Sequence, residues 1–242
     1  MSTILKLDNV AKSFGAVTVA DNQSFTLAQG EALGVIGPNG AGKTSMFNLI
    51  TGTLMPDSGR VQFDGRDVTG QSAATRSRAG IARSFQVPQP FSGLTVFENA
   101  MVAATQAAGL SGAAAERLCL EVLDQTELLA KANTLAGKLT LLDRKRLEMT
   151  RALCAKPKLL LLDEIAGGLT EAECTSLVRT IKDIHASGVS IIWIEHVVHA
   201  LLAVVDRLIV IDFGKKIAEG DPKTVMASRD VQEIYLGIEI DA

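Results

Sequence analysis

The sequence predicts an α/β layer fold in which buried parallel strands alternate with helices. Four short aliphatic runs have the length and composition of strands that are buried on both faces, at residues 33–36, 159–162, 189–194 and 208–211. Segments that separate or follow these runs carry helix signals. With 242 residues, of which 47% are hydrophobic, the chain is long enough to bury a large core.

Two of the predicted helices have clear boundary signals. The first covers residues 44–50 and is ended by Gly52, since glycine readily adopts the left-handed conformation that follows a helix. The second begins after Thr170, which forms a capping-box pattern with Glu173, and it ends at Gly188.

Two regions interrupt the alternation. Residues 4–32 and 59–68 have the pattern of half-buried antiparallel strands. Residues 92–155 contain no strand-like run, and they predict a helical insertion with helices at 116–130 and 143–155. We therefore expect one domain over residues 1–242. Its core would be formed by residues 33–58, 69–91 and 156–242.

Composition and charge exclude several classes of protein. The chain has 24 Lys and Arg against 27 Asp and Glu, and the formal net charge of −3 argues against a strongly basic nucleic-acid-binding protein. Cys119, Cys154 and Cys174 are odd in number and far apart, which favours buried thiols over disulfides or a zinc site. We expect no secretory signal and no membrane span, since no run of about 20 apolar residues occurs.

A glycine-rich segment follows the first aliphatic run and matches the pattern GxxxxGK[ST]. Glycines in such a loop let backbone N–H groups approach phosphates, and the following helix N-terminus adds partial positive charge. We expect Lys43 to reach the β- and γ-phosphates and Thr44 to hold Mg²⁺. The alternative is a glycine-rich turn that binds nothing. The predicted nucleotide-binding residues here are Gly37, Pro38, Asn39, Gly40, Ala41, Gly42, Lys43, Thr44 and Ser45.

Two carboxylates follow the aliphatic run at residues 159–162. The strand would deliver Asp163 to the metal site, and Glu164 would orient or deprotonate an attacking water. Taken alone, an acidic pair after a strand is more often the start of a loop or a helix cap. Because a phosphate-binding loop is also present, we interpret this pair as catalytic.

Lys43 and Asp163 are 120 residues apart, and the antiparallel strands and the helical insertion lie between them. This organisation resembles the ATPases of ABC transporters across nearly the whole chain. The resemblance implies that Phe14 stacks on adenine, that Gln86 touches the metal ion or water, and that His196 senses the γ-phosphate. From the residues alone, Phe14 would be a core residue and His196 a structural histidine.

Three shorter stretches narrow the resemblance, at residues 80–86, 94–99 and 235–237. They are similar to the ATP-binding subunits of branched-chain amino-acid importers, and the C-terminal stretch is also similar to the ATPase of lipopolysaccharide export. The importer resemblance implies ATP and Mg²⁺ as bound cofactors. It also implies a peripheral position on the cytoplasmic face of the inner membrane, membrane permease subunits as partners, a periplasmic binding protein as an indirect one, and no nucleic acid.

The segment around and after Gln86 is unusually apolar. Glu98 is the only charged residue from 84 to 115, and Phe85, Phe91 and Phe97 lie in this stretch. Its prolines favour a loop, and an apolar loop tends to be buried by something. Two structures could bury this segment, namely the chain's own helical insertion and the coupling helix of a permease.

Residues 139–143 align with the family's signature Leu-Ser-Gly-Gly-Gln, but they read Leu-Thr-Leu-Leu-Asp. Thr140 keeps a hydroxyl that could cap the helix and reach a partner's nucleotide, whereas the two leucines add bulk where glycine permits close approach. Asp143 would bring negative charge near the triphosphate unless Arg144 or Lys145 screens it. We therefore favour a heterodimer with a second ATP-binding subunit; harmless drift of the sequence is the alternative.

These observations predict the ATP-hydrolysing subunit of an ABC importer. Glu164, Gln86 and His196 would act in catalysis, and Gln86 and Asp163 would join Thr44 at the metal. Other readings stay open. They are the ATPase of a lipopolysaccharide-export-type or other ABC transporter, an ABC protein that acts on ribosomes or DNA, and a nucleotide-gated regulatory subunit without ATPase activity.

Overall fold

The structure is a computed structural model that describes residues 2–236. Its elements in chain order are β1 (Thr3–Phe14), β2 (Val17–Ala28), β3 (Ala32–Ile36), α1 (Lys43–Thr51), β4 (Ser58–Phe63), β5 (Arg66–Asp67), α2 (Ala73–Ala79), β6 (Ile81–Arg83), α3 (Val96–Gln106), α4 (Gly112–Gln125), α5 (Leu141–Cys154), β7 (Leu159–Asp163), α6 (Glu171–Ala186), β8 (Ser190–Ile194), α7 (Val198–Leu202), β9 (Arg207–Asp212), β10 (Lys215–Gly220), α8 (Pro222–Met226) and α9 (Arg229–Leu236). Of the C-terminal stretch that suggested an importer, Gly237 lies outside the described residues.

The main sheet has six strands in the order β10-β9-β3-β8-β7-β6. All four predicted aliphatic strands are present in it, as β3, β7, β8 and β9, and their mutual pairings are parallel. The sequence did not indicate β6, whose three residues are too few for a periodic signal, nor β10, which pairs antiparallel with β9. The α/β prediction is confirmed.

A second, antiparallel sheet has the order β2-β1-β4-β5 and confirms the predicted antiparallel part. The predicted range 4–32 extends too far, because Ala32 already belongs to β3 and pairs with Ile191 in the main sheet. One apolar cluster fills the space between the two sheets and α1, and another lies on the opposite face of the main sheet beneath the helices.

The helical insertion differs from its prediction in detail. The helix expected at 116–130 lies at Gly112–Gln125, and the helix expected from 143 starts at Leu141. The loop that the prolines favour in the apolar segment ends at Thr95, because α3, a helix of the predicted insertion, covers Val96–Gln106. A capping box formed by Thr95 and Glu98 starts this helix, and this local signal outweighs the prolines that precede it.

The boundary signals of α1 and α6 are confirmed. Gly52 ends α1 in the left-handed conformation, and the Thr170–Glu173 capping box starts α6. The buried guanidinium of Arg76 donates to the backbone oxygens of Leu49 and Ile50, at 2.6 and 2.9 Å. This cation satisfies carbonyls at the C-terminal end of α1, where the helix dipole is negative, and so fixes the helix that begins at the glycine-rich loop.

The three cysteines are buried and carry free thiols, as predicted. Within residues 2–236, no helix combines the length and the apolar character that a membrane crossing requires.

Candidate nucleotide-binding and hydrolysis site

Four parallel strands end at one edge of the main sheet, and the predicted site residues follow them directly. The glycine-rich loop at residues 37–42 follows β3, and Gln86 lies three residues after β6. Asp163 ends β7, and His196 lies two residues after β8. Carboxyl ends of parallel strands form the usual ligand crevice of α/β sheets, so the topology gathers residues that are far apart in sequence.

The glycine-rich loop folds tightly against neighbouring backbone. Gly42 has a φ of +98°, and a Cβ added there would lie 2.3 Å from the backbone oxygen of Val19. Only glycine fits this position without a shift of the chain. The loop borders a cavity of about 390 Å³, which we call the phosphate cavity. It is lined by Val19, Asn39, Gly40, Ala41, Gly42, Lys43, Thr44, Ser45, Gln86 and Glu164.

The ammonium group of Lys43 is held inside the loop. It donates to the backbone oxygens of Gly37 and Pro38, at 2.6 and 2.9 Å. Burial lowers the pKa of Lys43, while the negative charges of Glu164 and Asp163 act in the opposite direction. A cation in this position is oriented by the loop and lines the phosphate cavity, where an anionic phosphate group would be attracted to it.

Glu164 is held between the two other predicted catalytic residues. Its Oε2 accepts a hydrogen bond from Nε2 of Gln86, and its Oε1 lies 2.7 Å from Nε2 of His196. The backbone of Glu164 adopts a φ of +47°, which is uncommon for a non-glycine residue, and its N–H donates to the oxygen of Ile194 at 2.8 Å. Such conformations persist where the surrounding structure enforces them, and they cluster at active sites.

Asp163 is buried and has a partner that the sequence did not suggest. Its Oδ2 accepts from the guanidinium of Arg83 at 2.5 Å. Its Oδ1 is buried and has no hydrogen-bond partner. Burial raises the pKa of Asp163, and the positive charges of Arg83 and Lys43 counteract that rise.

Sequence reasoning also missed two buried charges that brace the loops of the site. The carboxylate of Glu195 accepts a hydrogen bond from the backbone N–H of Ala166 at 2.9 Å. It also accepts from the backbone N–H groups of His196 and Val197, at 2.9 and 3.3 Å. The ammonium of Lys145 donates to the backbone oxygen of Glu164 at 3.3 Å. A carboxylate directly before His196 at the end of an apolar strand was the signal that could have identified Glu195.

Phe14 is 55% exposed at the end of β1, so the alternative that it is a core residue is wrong. The ammonium of Lys12 lies 5.4 Å from its ring centroid. Phe14 does not line the phosphate cavity; it lines a larger groove of about 590 Å³ formed by residues of α1, α2, β6, α3 and α5. Ser45 lines both spaces, so the groove and the cavity adjoin at the start of α1.

The three phenylalanines of the apolar segment have different environments. Phe97 packs against the chain's own core. Phe85 and Phe91 are 50% and 46% exposed, which contradicts internal burial for these two rings. Phe85 lines the groove, and the guanidinium of Arg151, another groove residue, lies 5.0 Å from the ring centroid of Phe91. An exposed aromatic surface therefore borders the groove.

The altered signature keeps its helix cap. Thr140 is the N-cap of α5, and its hydroxyl accepts from the N–H of Asp143 at 3.3 Å. The cation that pairs with Asp143 is Lys131, and neither Arg144 nor Lys145, the two candidates from the sequence. The ammonium of Lys131 lies 2.5 Å from Asp143, because the irregular segment before α5 returns to the helix start. Burial alone would raise the pKa of Asp143, but the hydrogen bonds from Lys131 and Thr140 hold it below its usual value.

Comparison with known proteins identifies the family of the chain. The family model described as ABC transporter matches residues 20–167. The chain is 32% identical over 235 residues to the lipopolysaccharide export system ATP-binding protein LptB of Haemophilus influenzae, covering 97% of this chain and 98% of the relative. It is 31% identical over 249 residues to the high-affinity branched-chain amino acid transport ATP-binding protein BraF of Pseudomonas aeruginosa, again covering 97% and 98%.

A solved structure extends the likeness to three dimensions. The ADP conformation of an ATP-binding cassette of an ABC transporter matches with a TM-score of 0.89 at 29% identity, and the match covers 98% of this chain and 100% of that one. Fold and sequence therefore agree, and the chain belongs to the ABC transporter family of ATP-binding proteins, as an ATPase subunit.

Proposed function

We propose that this subunit energises an ABC importer of branched-chain or related amino acids. The observation that carries the ATPase part is the contact of Glu164 with both Gln86 and His196 beside the phosphate cavity. The import part is supported by the BraF relative and by the stretches at residues 80–86 and 94–99, which resemble importer subunits. The LptB relative is about as similar, so export of lipopolysaccharide is the second candidate.

In the proposed reaction, the glycine-rich loop and Lys43 hold the phosphates of ATP. Glu164 orients and deprotonates the attacking water, and a positioned base of this kind contributes about 10²–10⁴-fold to the rate. Gln86 and His196 fix the two oxygens of Glu164 and so determine where the carboxylate points. Water attack on the γ-phosphorus releases ADP and phosphate.

The residues present fit a magnesium site that is completed by substrate. Within the described part of the chain, no group of three or more His, Cys, Asp or Glu side chains could hold a metal ion. Magnesium is commonly bound through one or two carboxylates together with substrate phosphates and waters. Asp163, whose Oδ1 is buried without a partner, would hold it together with the Thr44 hydroxyl and Gln86. The bound ion would neutralise charge on the phosphates.

The groove beside Phe85 and Phe91 is the proposed docking surface for a permease. Its occupant would be a short helix of the membrane subunit that presents an apolar face to the exposed rings. This contact would place the subunit at the cytoplasmic face of the membrane. A periplasmic binding protein would act on the same transporter from the other side, without touching this chain.

A second ATP-binding subunit would complete each site, and we favour a different chain over a second copy. Leu141, at the start of α5, is exposed where a partner's nucleotide would approach the signature. Its bulk restricts that approach more than the glycine of the usual signature. A partner with the usual signature would give one efficient site and one weak site.

The assembly can be tested with the full transporter. Phe91→Asp should abolish co-purification with the permease subunits of the transporter and leave the melting temperature of the isolated subunit nearly unchanged. Phe213→Asp, at an 83% exposed ring in the β9–β10 turn, is the matched control and should leave assembly intact. Unfolding by Phe91→Asp would show that the ring is part of the core and would overturn the docking proposal.

The substrate requires a separate measurement on the assembled, reconstituted complex. Stimulation of ATPase activity by a binding protein loaded with a branched-chain amino acid would support import. Stimulation by lipopolysaccharide alone would favour the export candidate. Co-purification with ribosomes or DNA instead of membrane proteins would reject both.

A further inference from the structure

Arg83 joins the proposed metal carboxylate to the groove. Its guanidinium is 2.5 Å from Oδ2 of Asp163, and only 8% and 3% of the two side chains are exposed. The two residues lie on adjacent parallel strands, β6 and β7, where Arg83 pairs with Leu161. The contact is therefore built into the sheet and does not depend on a loop conformation.

The same guanidinium is held by three further groups. It donates to the side-chain oxygen of Asn48 on α1 at 2.6 Å. It lies 5.4 Å from the ring centroid of the buried Phe47 and 5.1 Å from that of Phe85. Arg83, Asn48 and Phe85 all line the groove. One cation thus touches the groove on one side and the carboxylate on the other.

The pairing leaves one oxygen of Asp163 available. Oδ2 is occupied by Arg83, whereas Oδ1 is buried and has no partner. A carboxylate fixed through one oxygen presents the other in a defined direction, and partners of this kind orient metal ligands in many proteins. The ring of Phe85, half exposed in the groove, is the part of this arrangement that a docked partner would touch.

We propose that Arg83 is a positioning residue that fixes the carboxylate of Asp163 for the metal ion. We also propose that a partner docked in the groove at Phe85 changes the orientation of this carboxylate through Arg83. This inference rests on the proposed magnesium role of Asp163. Positioning of Asp163 would thus be a function of β6, distinct from those of Gln86 and the glycine-rich loop, since Arg83 contacts Asp163 directly.

The test measures nucleotide affinity and needs no turnover. The affinity of the full-length chain for a fluorescent, non-hydrolysable ATP analogue is determined in EDTA and in excess Mg²⁺, and the ratio of the two dissociation constants gives the gain due to the metal. Arg83→Met should reduce this gain about 10–100-fold, the usual effect of removing a group that orients a metal ligand. Phe85→Ala should reduce it several-fold, and it should have no further effect when Arg83 is already methionine.

Arg151→Met is the matched control, because this groove arginine pairs with Glu148 and stacks on Phe91 instead of contacting Asp163. It should leave the metal-dependent gain unchanged. If Arg151→Met and Arg83→Met reduce the metal-dependent gain equally, the effect is a general disturbance of the groove and the inference is overturned. An unchanged gain in Phe85→Ala would overturn transmission from the groove.

Two more variants separate the possible failures. If Arg83→Met does not fold, Arg83→Lys keeps the charge but loses the planar fork, and it should still reduce the gain; a wild-type gain would overturn the positioning role. If Asp163→Asn leaves the gain unchanged, the proposed magnesium role of Asp163 is wrong and the inference falls with it. If Asp163→Asn reduces the gain and neither Arg83 variant does, the inference alone is wrong.

Discussion

His196 and Glu164 meet across two strand ends, with Nε2 of the histidine 2.7 Å from Oε1 of the glutamate. The two residues are 32 positions apart, and β7 and β8 bring them together because their parallel pairing extends to Asp163 and Ile194, one residue before Glu164. Gln86 occupies the other oxygen of Glu164, so the carboxylate has little freedom to turn.

Replacing Glu164 should separate nucleotide binding from hydrolysis. Glu164→Gln retains the shape and an accepting oxygen, so ATP should bind as in the wild type. Turnover should fall about 10²–10⁴-fold because the base is lost. Phosphate release measures the rate, and Glu171→Gln, at an exposed position in the first turn of α6, is the control. Unchanged turnover would show that Glu164 has no catalytic role.

Lys43→Ala should instead abolish nucleotide binding. The variant removes the ammonium that lines the phosphate cavity and also the hydrogen bonds to Gly37 and Pro38 that close the loop. Binding of a fluorescent ATP analogue measures the loss, with the exposed Lys182→Ala as the control. Wild-type affinity in Lys43→Ala would contradict the assignment of the glycine-rich loop.

Phe14→Ala should weaken the binding of ATP by about 1–3 kcal/mol, the range for base–aromatic stacking. The binding of GTP should be weakened to a comparable extent, because stacking involves the face of the base and not its hydrogen-bonding edge. Since the ring is half exposed, the melting temperature should change little. A fall in melting temperature without a change in either affinity would assign Phe14 a structural role.

Lys131→Met should destabilise the fold in a pH-dependent way. Asp143 has a pKa below its usual value near 3.8, so its ionisation stabilises the folded state above that pH, and this contribution is lost as the pH falls through the lower folded value. The variant leaves a buried carboxylate without its cation, at a cost of about 1–2 kcal/mol near neutral pH. The difference in melting temperature from the wild type should therefore close on acidification, whereas Lys138→Met should show no such trend.

Restoring the usual signature should raise activity in the assembled complex. The combined change Thr140→Ser, Leu141→Gly, Leu142→Gly and Asp143→Gln removes bulk at the start of α5, and we expect ATPase activity to rise about 10-fold or more. Asp143→Gln alone should have little effect, because Lys131 already neutralises the charge. Equal activity of both sites in a homodimer, or no response to the combined change, would show that the α5 backbone suffices.

The sequence was most informative where a functional residue lies at the end of a strand or shortly after it. Lys43, Asp163 and Glu164 each lie within a few residues of an aliphatic strand, so a local pattern locates both the element and the side chain. The helix at Val96–Gln106 was missed because prolines and glycines before it are strong loop signals, although the Thr95–Glu98 capping box was visible.

The partners of these residues could not be predicted in the same way. Arg83 and Asp163 are 80 positions apart, and only the β6–β7 pairing makes them neighbours. Lys131 reaches Asp143 through an irregular segment that has no periodicity to interpret. Pairing of this kind depends on tertiary structure, which composition and spacing do not encode.

The position of β6 has a consequence for how such a subunit can diversify. Among the strands of residues 2–236 it is the outermost of the main sheet, and there it is hydrogen-bonded to β7 alone, over three residues. β3, β7 and β8, which lead to Lys43, Asp163 and His196, are flanked on both sides, so a change in their course would disturb two ladders at once. A substitution on this edge strand disturbs one ladder only, so Ile81 and Ala82, which line the groove beside Arg83, can vary with the membrane partner while Arg83 keeps its contact with Asp163.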